Sequence, residues 1–374
     1  MLVQSRLLRG TVQLAPNNQV LFLNSAADPF VALAAQQIST GRITLAEDNI
    51  ASLHTAIEAV GLTSLPSNTV RHIAFHEYTL LEPASTVDVA IMNLLYQPNN
   101  TWMIYGLQVA AYALKAGGSL YIVGAKDRGV LSMAKRMQEY FGNVETLAIS
   151  KGYRVICSRV GAQFIAPQGV EKGMPIGANF SGVTPPQPQG TPRGYPGGGS
   201  GRDKSGPYAS LVFAEGKLDE GTRLLLDALE VQPTDEALDI GCGAGFIGLH
   251  IARLASKGHV TMVDASLTAV AVAQRHVEES GLTNIQVWPS DGARAILQQR
   301  FDLVVTNPPF HQGGIQTTEI AGRFIHEAAQ VLRPHGRFYL VANRFLKYEP
   351  ALRASFKMVE EVGGNTRFKV FRAM

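Results

Sequence analysis

From residue 236 onward the chain alternates short apolar runs with longer amphipathic ones. EALDI reads as a buried strand. FIGLHIARLAS reads as a helix, with apolar residues recurring three and four apart. HVTMVD is strand, LTAVAVAQRHVEESG helix, and IQVWPSD and FDLVVTN are strands. TEIAGRFIHEAAQVL is helix and GRFYLVAN strand. Short, almost wholly apolar strands separated by helices predict a parallel sheet covered on both faces, the α/β class. The first 160 residues show the same alternation of apolar strands and amphipathic helices.

The two halves also share a register. GRITLAE (Gly41 to Glu47) matches GHVTMVD (Gly258 to Asp264) at an offset of 217. The same offset lays LNSAAD (Leu23 to Asp28) on IGCGAG (Ile240 to Gly245). VDVAIMNLLYQ (Val87 to Gln97) lies on FDLVVTNPPFH at an offset of 214, and KAGGSLYIV (Lys115 to Val123) on RPHGRFYLV at 218. Three landmarks in the same order, with offsets drifting as loop insertions allow, predict a duplicated domain with a Rossmann-like fold in each copy. The copies diverge where chemistry would sit. Gly241, Gly243 and Gly245 face Asn24, Ala26 and Asp28, while Pro308, Pro309 and Phe310 face Leu94, Leu95 and Tyr96. The N-terminal copy is therefore expected to be degenerate, keeping the fold without the site.

Between the copies the composition shifts. GVTPPQPQGTPRGYPGGGSG (Gly182 to Gly201) carries almost no apolar periodicity. The expected organisation is a degenerate domain over 1–160, a Pro/Gly-rich linker over 161–206 and the active domain over 207–374. Hydrophobic residues make up 46% of the 374, enough for two cores, and the net charge of +3 is compatible with an RNA partner. Two cysteines far apart in sequence argue against a disulfide framework or a zinc site, and no metal is expected. MLVQSRLLRG lacks a signal-peptide core, and the apolar stretch Trp102 to Leu114 is too short to span a bilayer. These features predict a soluble cytoplasmic protein that makes no use of a membrane.

ALDIGCGAGFIG joins a strand to a helix through glycines that let a ligand approach the backbone. It contains a formal G-x-G-x-x-G, and Asp264 follows about 20 residues on, as in dinucleotide sites. Asp239 tips the choice. A carboxylate two residues before the first glycine would repel a pyrophosphate and attract the cationic amino group of S-adenosylmethionine (SAM). The turn Asp239, Gly241, Gly243, Gly245 is therefore read as a SAM loop. Asp264, at the end of the next strand, is placed to accept both ribose hydroxyls. Asp291, in WPSDG, is a candidate acceptor for the adenine amino group, although SDG is also ordinary turn chemistry. Cys242 is read as a small residue that fits the turn.

TNPPFHQGG ends the strand FDLVVT with a carboxamide, two rigid residues and an aromatic ring. A plain turn needs only one proline or glycine. An exocyclic amine is a poor nucleophile because its lone pair is delocalised. The Asn307 oxygen and the Pro308 carbonyl can each accept one of its N–H bonds and aim the lone pair at a methyl group. Pro308 and Pro309 hold the acceptors together. Phe310 offers a face for a planar base, worth about 1–3 kcal/mol by stacking.

Together, LDIGCGAG, VD, SDG and TNPPFHQGG resemble a class I SAM-dependent methyltransferase acting on an exocyclic amine. VFAEGKLDEGTRLLLDAL (Val212 to Leu229), NRFLKYEP (Asn343 to Pro350) and the degenerate first copy narrow the resemblance to the RsmC/RlmG family of ribosomal RNA guanine-N2 methyltransferases. That resemblance implies two methyltransferase domains, SAM as cofactor, and a guanine N2 in ribosomal RNA as target, in the small ribosomal subunit by preference. It places SAM binding on Asp239, Gly241, Gly243, Gly245 and Asp264, and catalysis on Asn307, Pro308, Pro309 and Phe310. It also lays the segment around Phe213 and Lys217 over the cofactor, with Ala214 where a serine is common. Arg323, Arg333, Arg337, Arg344 and Lys347 are expected, as a group, to meet RNA phosphates. The chain is expected to act as a monomer. Adenine-N6 or protein-glutamine methylation, a non-catalytic SAM- or RNA-binding assembly factor, and a dinucleotide oxidoreductase are the readings left open.

Overall fold

The computed structural model describes residues 2–61, 69–161, 218–309, 311–312, 315–316 and 318–374. The N-terminal sheet contains seven strands: β1 (Gln19–Leu23), β2 (Arg42–Glu47), β3 (Val70–Ala74), β4 (Val87–Asn93), β5 (Leu114–Ala125), β6 (Glu145–Ser150) and β7 (Tyr153–Arg159). They lie in the order β3-β2-β1-β4-β5-β7-β6. The C-terminal sheet repeats this order with β10 (Ile285–Pro289), β9 (Val260–Asp264), β8 (Ala237–Ile240), β11 (Phe301–Thr306), β14 (Leu332–Asn343), β16 (Phe368–Ala373) and β15 (Val359–Gly364). Between β11 and β14 lies a short antiparallel pair, β12 (His311–Gln312) and β13 (Ile315–Gln316). In each sheet the first five strands run parallel, the sixth (β7 or β16) pairs antiparallel with the fifth, and the edge strand (β6 or β15) pairs antiparallel with the sixth.

Helices cover both faces. In the first domain these are α1 (Val3–Thr11), α2 (Phe30–Gln37), α3 (Ile50–Val60), α4 (Tyr78–Leu81), α5 (Asn100–Ala113) and α6 (Val130–Phe141). The second has α7 (Glu220–Ala228), α8 (Phe246–Leu254), α9 (Leu267–Ser280), α10 (Thr318–Val331) and α11 (Glu349–Ser355). α3 and α9 are bounded alike. A polar N-cap, Asn49 or Ser266, binds the first-turn N–H groups, and a left-handed glycine, Gly61 or Gly281, ends each helix. Each sheet carries one apolar cluster on each face, so the central strands are buried on both sides. Among the described residues no helix is long and apolar enough to cross a membrane.

Equivalent positions also make equivalent bonds, which bears out the duplication. Asp88 accepts the Gln19 N–H at 2.8 Å and pairs with Lys115. Asp302 accepts the Glu236 N–H at 3.1 Å and pairs with Arg333 at 2.6 Å. Asn18 accepts from Ala15 N–H, as Asp235 accepts from Gln232 N–H. Gly41 and Gly258 are both glycine because a Cβ would run into the carbonyl of Asn18 or Asp235.

The domains meet through their equivalent β2–α3 and β9–α9 turns. Asn49 and Ser266 form an antiparallel bridge. Ile50 N–H donates to the Ala265 carbonyl at 3.0 Å, and Leu267 N–H donates to the Asp48 carbonyl at 2.9 Å. Ile50 and Asp48 are the counterparts of Leu267 and Ala265, so this contact has local two-fold symmetry.

Candidate active site

The contact encloses a cavity of about 500 Å³, within the range of sites that hold a cofactor-sized ligand. It lies at the carboxyl ends of β8, β9 and β11, where the strand order reverses. The C-terminal domain contributes Gly241 to Ala244, Asp264 to Ser266, Ser290 to Gly292, Asn307, Pro309 and Arg323. The N-terminal domain supplies the opposite wall, including Asp48, Asn49, Ser52, Tyr96 and Asn99.

The glycine turn has the geometry a ligand-cradling loop needs. Gly241, Gly243 and Gly245 all have positive φ, at 73°, 54° and 84°. Gly241 and Gly243 line the cavity, whereas Gly245 caps α8 and packs towards Met262 and Ala273. Asp264 stands beside them, half-buried. Its Oδ2 accepts from Gly243 N–H at 2.9 Å and its Oδ1 from Ser266 N–H at 2.8 Å. A carboxylate has about four lone-pair sites, so both oxygens keep capacity for ribose hydroxyls. Burial pushes its pKa up, against the N–H groups of Ser266 and Gly243. Cys242 is buried, and burial raises its thiol pKa well above the ordinary value, which leaves a neutral thiol rather than a nucleophile.

Asp239 is placed differently from the sequence expectation. It is fully buried and does not line the cavity. Its Oδ2 accepts from Gly248 N–H at 3.0 Å, while its Oδ1 has no hydrogen-bond partner. The side chain runs under the glycine turn to the first turn of α8, so it ties the loop to the helix. Burial lifts its pKa to about 7.

Asp291 lines the cavity and is almost fully buried. Its Oδ1 accepts from Arg323 and its Oδ2 from Arg294, the latter at 2.8 Å. Glu327 holds the next turn through Ala293 N–H at 2.7 Å. Arg323 is thus part of the pocket wall. The expected phosphate-binding group is largely committed to carboxylates of the fold. The half-buried Arg337 pairs with the buried Asp235 at 2.6 Å, Arg333 pairs with Asp302, and Arg344 pairs with Glu361 at 2.6 Å. Only the exposed members of these pairs retain access to solvent.

Asn307 follows β11, is half-buried and lines the cavity. Two residues not assigned from the sequence orient it. Asp219 caps α7, accepting from Thr222 N–H at 3.0 Å and from the Thr222 hydroxyl at 2.6 Å. That hydroxyl has given its proton to Asp219, so towards Asn307 it can only accept. The Asn307 Nδ2 donates to it at 2.9 Å and lies 3.4 Å from Asp219 Oδ2. The carboxamide is therefore fixed with its nitrogen towards α7, leaving its oxygen for another donor. The sequence signal was the D-x-x-T spacing at a helix start. Pro308 is buried and Pro309 lines the cavity. Phe310, Phe213, Ala214 and Lys217 lie outside the described residues.

The equivalent place in the N-terminal domain is filled by the protein itself. Glu47 repeats Asp264, accepting from Ala26 N–H at 2.8 Å, and burial pushes its pKa up to about 7. Asn93, the counterpart of Asn307, is fully buried. Its Nδ2 donates to Asp28 at 2.6 Å and its Oδ1 accepts from Leu95 N–H at 3.0 Å. The Gln97 amide donates to the carbonyls of Leu23, Asn24 and Asn93 at 3.0–3.2 Å. Of the three loop positions only Asn24 keeps positive φ, at 45°, which asparagine tolerates better than most residues.

Three comparisons place this geometry among known proteins. A family model, the methyltransferase small domain, matches residues 208–372. The ribosomal RNA small subunit methyltransferase C of Shewanella loihica is 31% identical over 293 residues, 78% of each chain. The protein of that name from Hahella chejuensis is 41% identical over 163 residues, 44% of this chain and 47% of the relative. Among solved structures, the T. Thermophilus 16S rRNA N2 G1207 methyltransferase (RsmC), in complex with AdoMet and guanosine, covers 99% of this chain. The match takes in 91% of that chain, with a TM-score of 0.73 and 27% identity.

The filled N-terminal site predicts one SAM per full-length chain in a calorimetric titration, and a stoichiometry of two would show that Gln97 and Asp28 do not close it. A second expectation concerns Asp239. Its folded pKa of about 7 exceeds the ordinary value of 3.8, so the native state holds a proton that the unfolded chain releases. Stability therefore falls as pH rises through that window. Without SAM, Asp239→Asn should raise Tm by several degrees at pH 8, where the penalty is fully developed, and by roughly 0.4 times as much at pH 5, inside the window. Equal shifts at both pH values would remove the buried charge as the cause.

Proposed function

Because the chain belongs to the ribosomal RNA small subunit methyltransferase C family, we propose that its C-terminal domain methylates the exocyclic N2 amine of a guanine in small-subunit ribosomal RNA, with Asn307 orienting that amine. The observation that carries the assignment of Asn307 is its locked carboxamide, nitrogen on Thr222 and oxygen left for a donor. The enzyme is SAM-dependent, and the residues present fit that cofactor. The positive-φ glycines let it approach the turn, Asp264 faces the cavity with lone pairs in reserve, and the volume suffices. When bound, SAM supplies an electrophilic methyl on a sulfonium.

The chain contributes positioning. Asn307 Oδ1 accepts one N–H of the guanine amine, which turns the nitrogen lone pair towards the methyl carbon. Pro309 walls the base, and Phe310 is assigned its stacking face. Asn307 adds no charge beside the cofactor, whereas an aspartate would. The carboxamide is not a base, so the proton of the methylated amine passes to solvent. Asp264 holds the ribose, Asp291 with Arg323 walls the adenine end, and Asp239 braces the loop. The protein is assigned as a monomer, since its duplicated halves already bury against each other the turns that two copies would share.

Labelled SAM and ribosomal RNA, followed by nucleoside analysis, should give N2-methylguanosine, and label in N6-methyladenosine would sink the guanine assignment. Asn307→Ala should lower the rate about 10²–10³-fold at saturating SAM, with SAM affinity little changed. Thr222→Val should cost about tenfold in rate with the same unchanged affinity, because the carboxamide loses the partner that fixes it. Near-normal turnover by Asn307→Ala would remove it from the mechanism.

A further inference from the structure

The contact between the domains is symmetric in its backbone and one-sided in its side chains. Asp48 Oδ1 accepts from Thr268 N–H at 2.8 Å and from the Thr268 hydroxyl at 2.6 Å. The symmetry-related pair is Ala265 and Ala51, which can form no such bond. Asp48 and Thr268 are both buried. Since the Thr268 hydroxyl gives its proton to Asp48, its 3.0 Å contact with His76 Nδ1 requires that nitrogen to donate. Burial holds His76 neutral, with a pKa of about 4.

The target of this clamp is the start of α9. Four N–H groups at a helix N-terminus have no partner within the helix. Ser266 satisfies Ala269 N–H from within the domain. Leu267 N–H goes to the Asp48 carbonyl and Thr268 N–H to the Asp48 carboxylate, so the other domain satisfies these two. α3 differs in that its own Asn49 side chain takes Ala51 and Ser52 N–H. The turn so fixed is the one that carries Asp264, whose Oδ1 is held by Ser266 N–H, and Asp48 borders the same cavity.

We propose that the N-terminal domain, though it has no cofactor site of its own, completes that of its neighbour: Asp48 is a positioning residue that caps α9 across the domain boundary and sets the Asp264–Ser266 turn for the ribose of SAM. Asp48 has this role only because Asp264 holds SAM, as proposed above. Through Asp48 the first domain thus sets cofactor affinity and not the methyl-transfer step.

The test uses full-length protein with calorimetric SAM binding and steady-state kinetics on ribosomal RNA. Asp48→Ala should raise Kd and KM for SAM about tenfold. kcat at saturating SAM and KM for RNA should move by less than about twofold. Asp48→Asn keeps an oxygen that accepts both bonds and should recover SAM affinity to within about threefold of the parent. Thr268→Val, which removes only the hydroxyl, should weaken SAM about threefold. SAM affinity unchanged in Asp48→Ala and Thr268→Val, or a loss shared equally with KM for RNA, would overturn the proposal. Asp264→Ala separates the two levels. If it leaves SAM binding intact, the assignment of the ribose acid fails. If it weakens SAM while Asp48→Ala does not, only the cross-domain role fails. Should Asp48→Ala not fold, Asp48→Asn and Thr268→Val decide the matter by the same readings.

Discussion

Much of the architecture depends on a two-residue bridge, Asn49 to Ser266, where equivalent turns of two copies pair antiparallel. Each turn follows the second strand of its sheet and precedes the helix that follows. Pairing them sets the carboxyl ends of both sheets towards one shared space. Ligands of open α/β sheets bind at those ends, so the pairing decides which residues of one domain can reach the site of the other. The cavity wall made of Asn49, Ser52, Tyr96 and Asn99 follows from that geometry.

The two copies show how little has to change for a pocket to be filled by the protein's own side chains. The acid at the end of the second strand survives in both, as Glu47 and Asp264, with the same N–H partner position. The asparagine at the end of the fourth strand also survives. Its surroundings do not. Asp28 takes the Asn93 nitrogen and Gln97 donates to three carbonyls at the strand ends, so polar groups that a ligand would meet are satisfied internally. In the C-terminal domain Asp219 and Thr222 satisfy only the nitrogen of Asn307 and leave its oxygen available.

The fold was legible because buried parallel strands write themselves as apolar runs, and the duplication because the strand ends keep their spacing. The edge strands β6 and β15 are hidden from such a reading, because they are exposed along much of their length and have no apolar run to announce them. Local pattern alone singles out Gly241, Gly243, Asp264 and Asn307, which the fold brings to one cavity, since each follows a strand closely. Asp239 showed the limit of that reasoning. Its place at the strand end was right, but a side chain's direction is set by the helix start it satisfies, here Gly248 N–H. The arginines show a related limit: charge in sequence does not reveal the carboxylate that packs beside it. The D-x-x-T spacing marks Thr222 as part of a helix start, but its contact with Asn307, like that of Asp48 with Thr268, spans 85 to 220 residues, beyond the reach of any local pattern.

The one-sidedness of the Asp48–Thr268 clamp also orders events in the history of the chain. An isologous contact between equivalent turns is the contact of a two-fold dimer of single-domain copies. While one gene encodes both partners, every substitution appears on both sides of the axis. An aspartate facing a threonine on one side and an alanine facing an alanine on the other cannot arise under that constraint. The one-sidedness therefore postdates the joining of the copies into one polypeptide. So does the closure of the first pocket by Gln97. Covalent linkage freed one copy to fill its own pocket and to stand as one wall of the other's cavity.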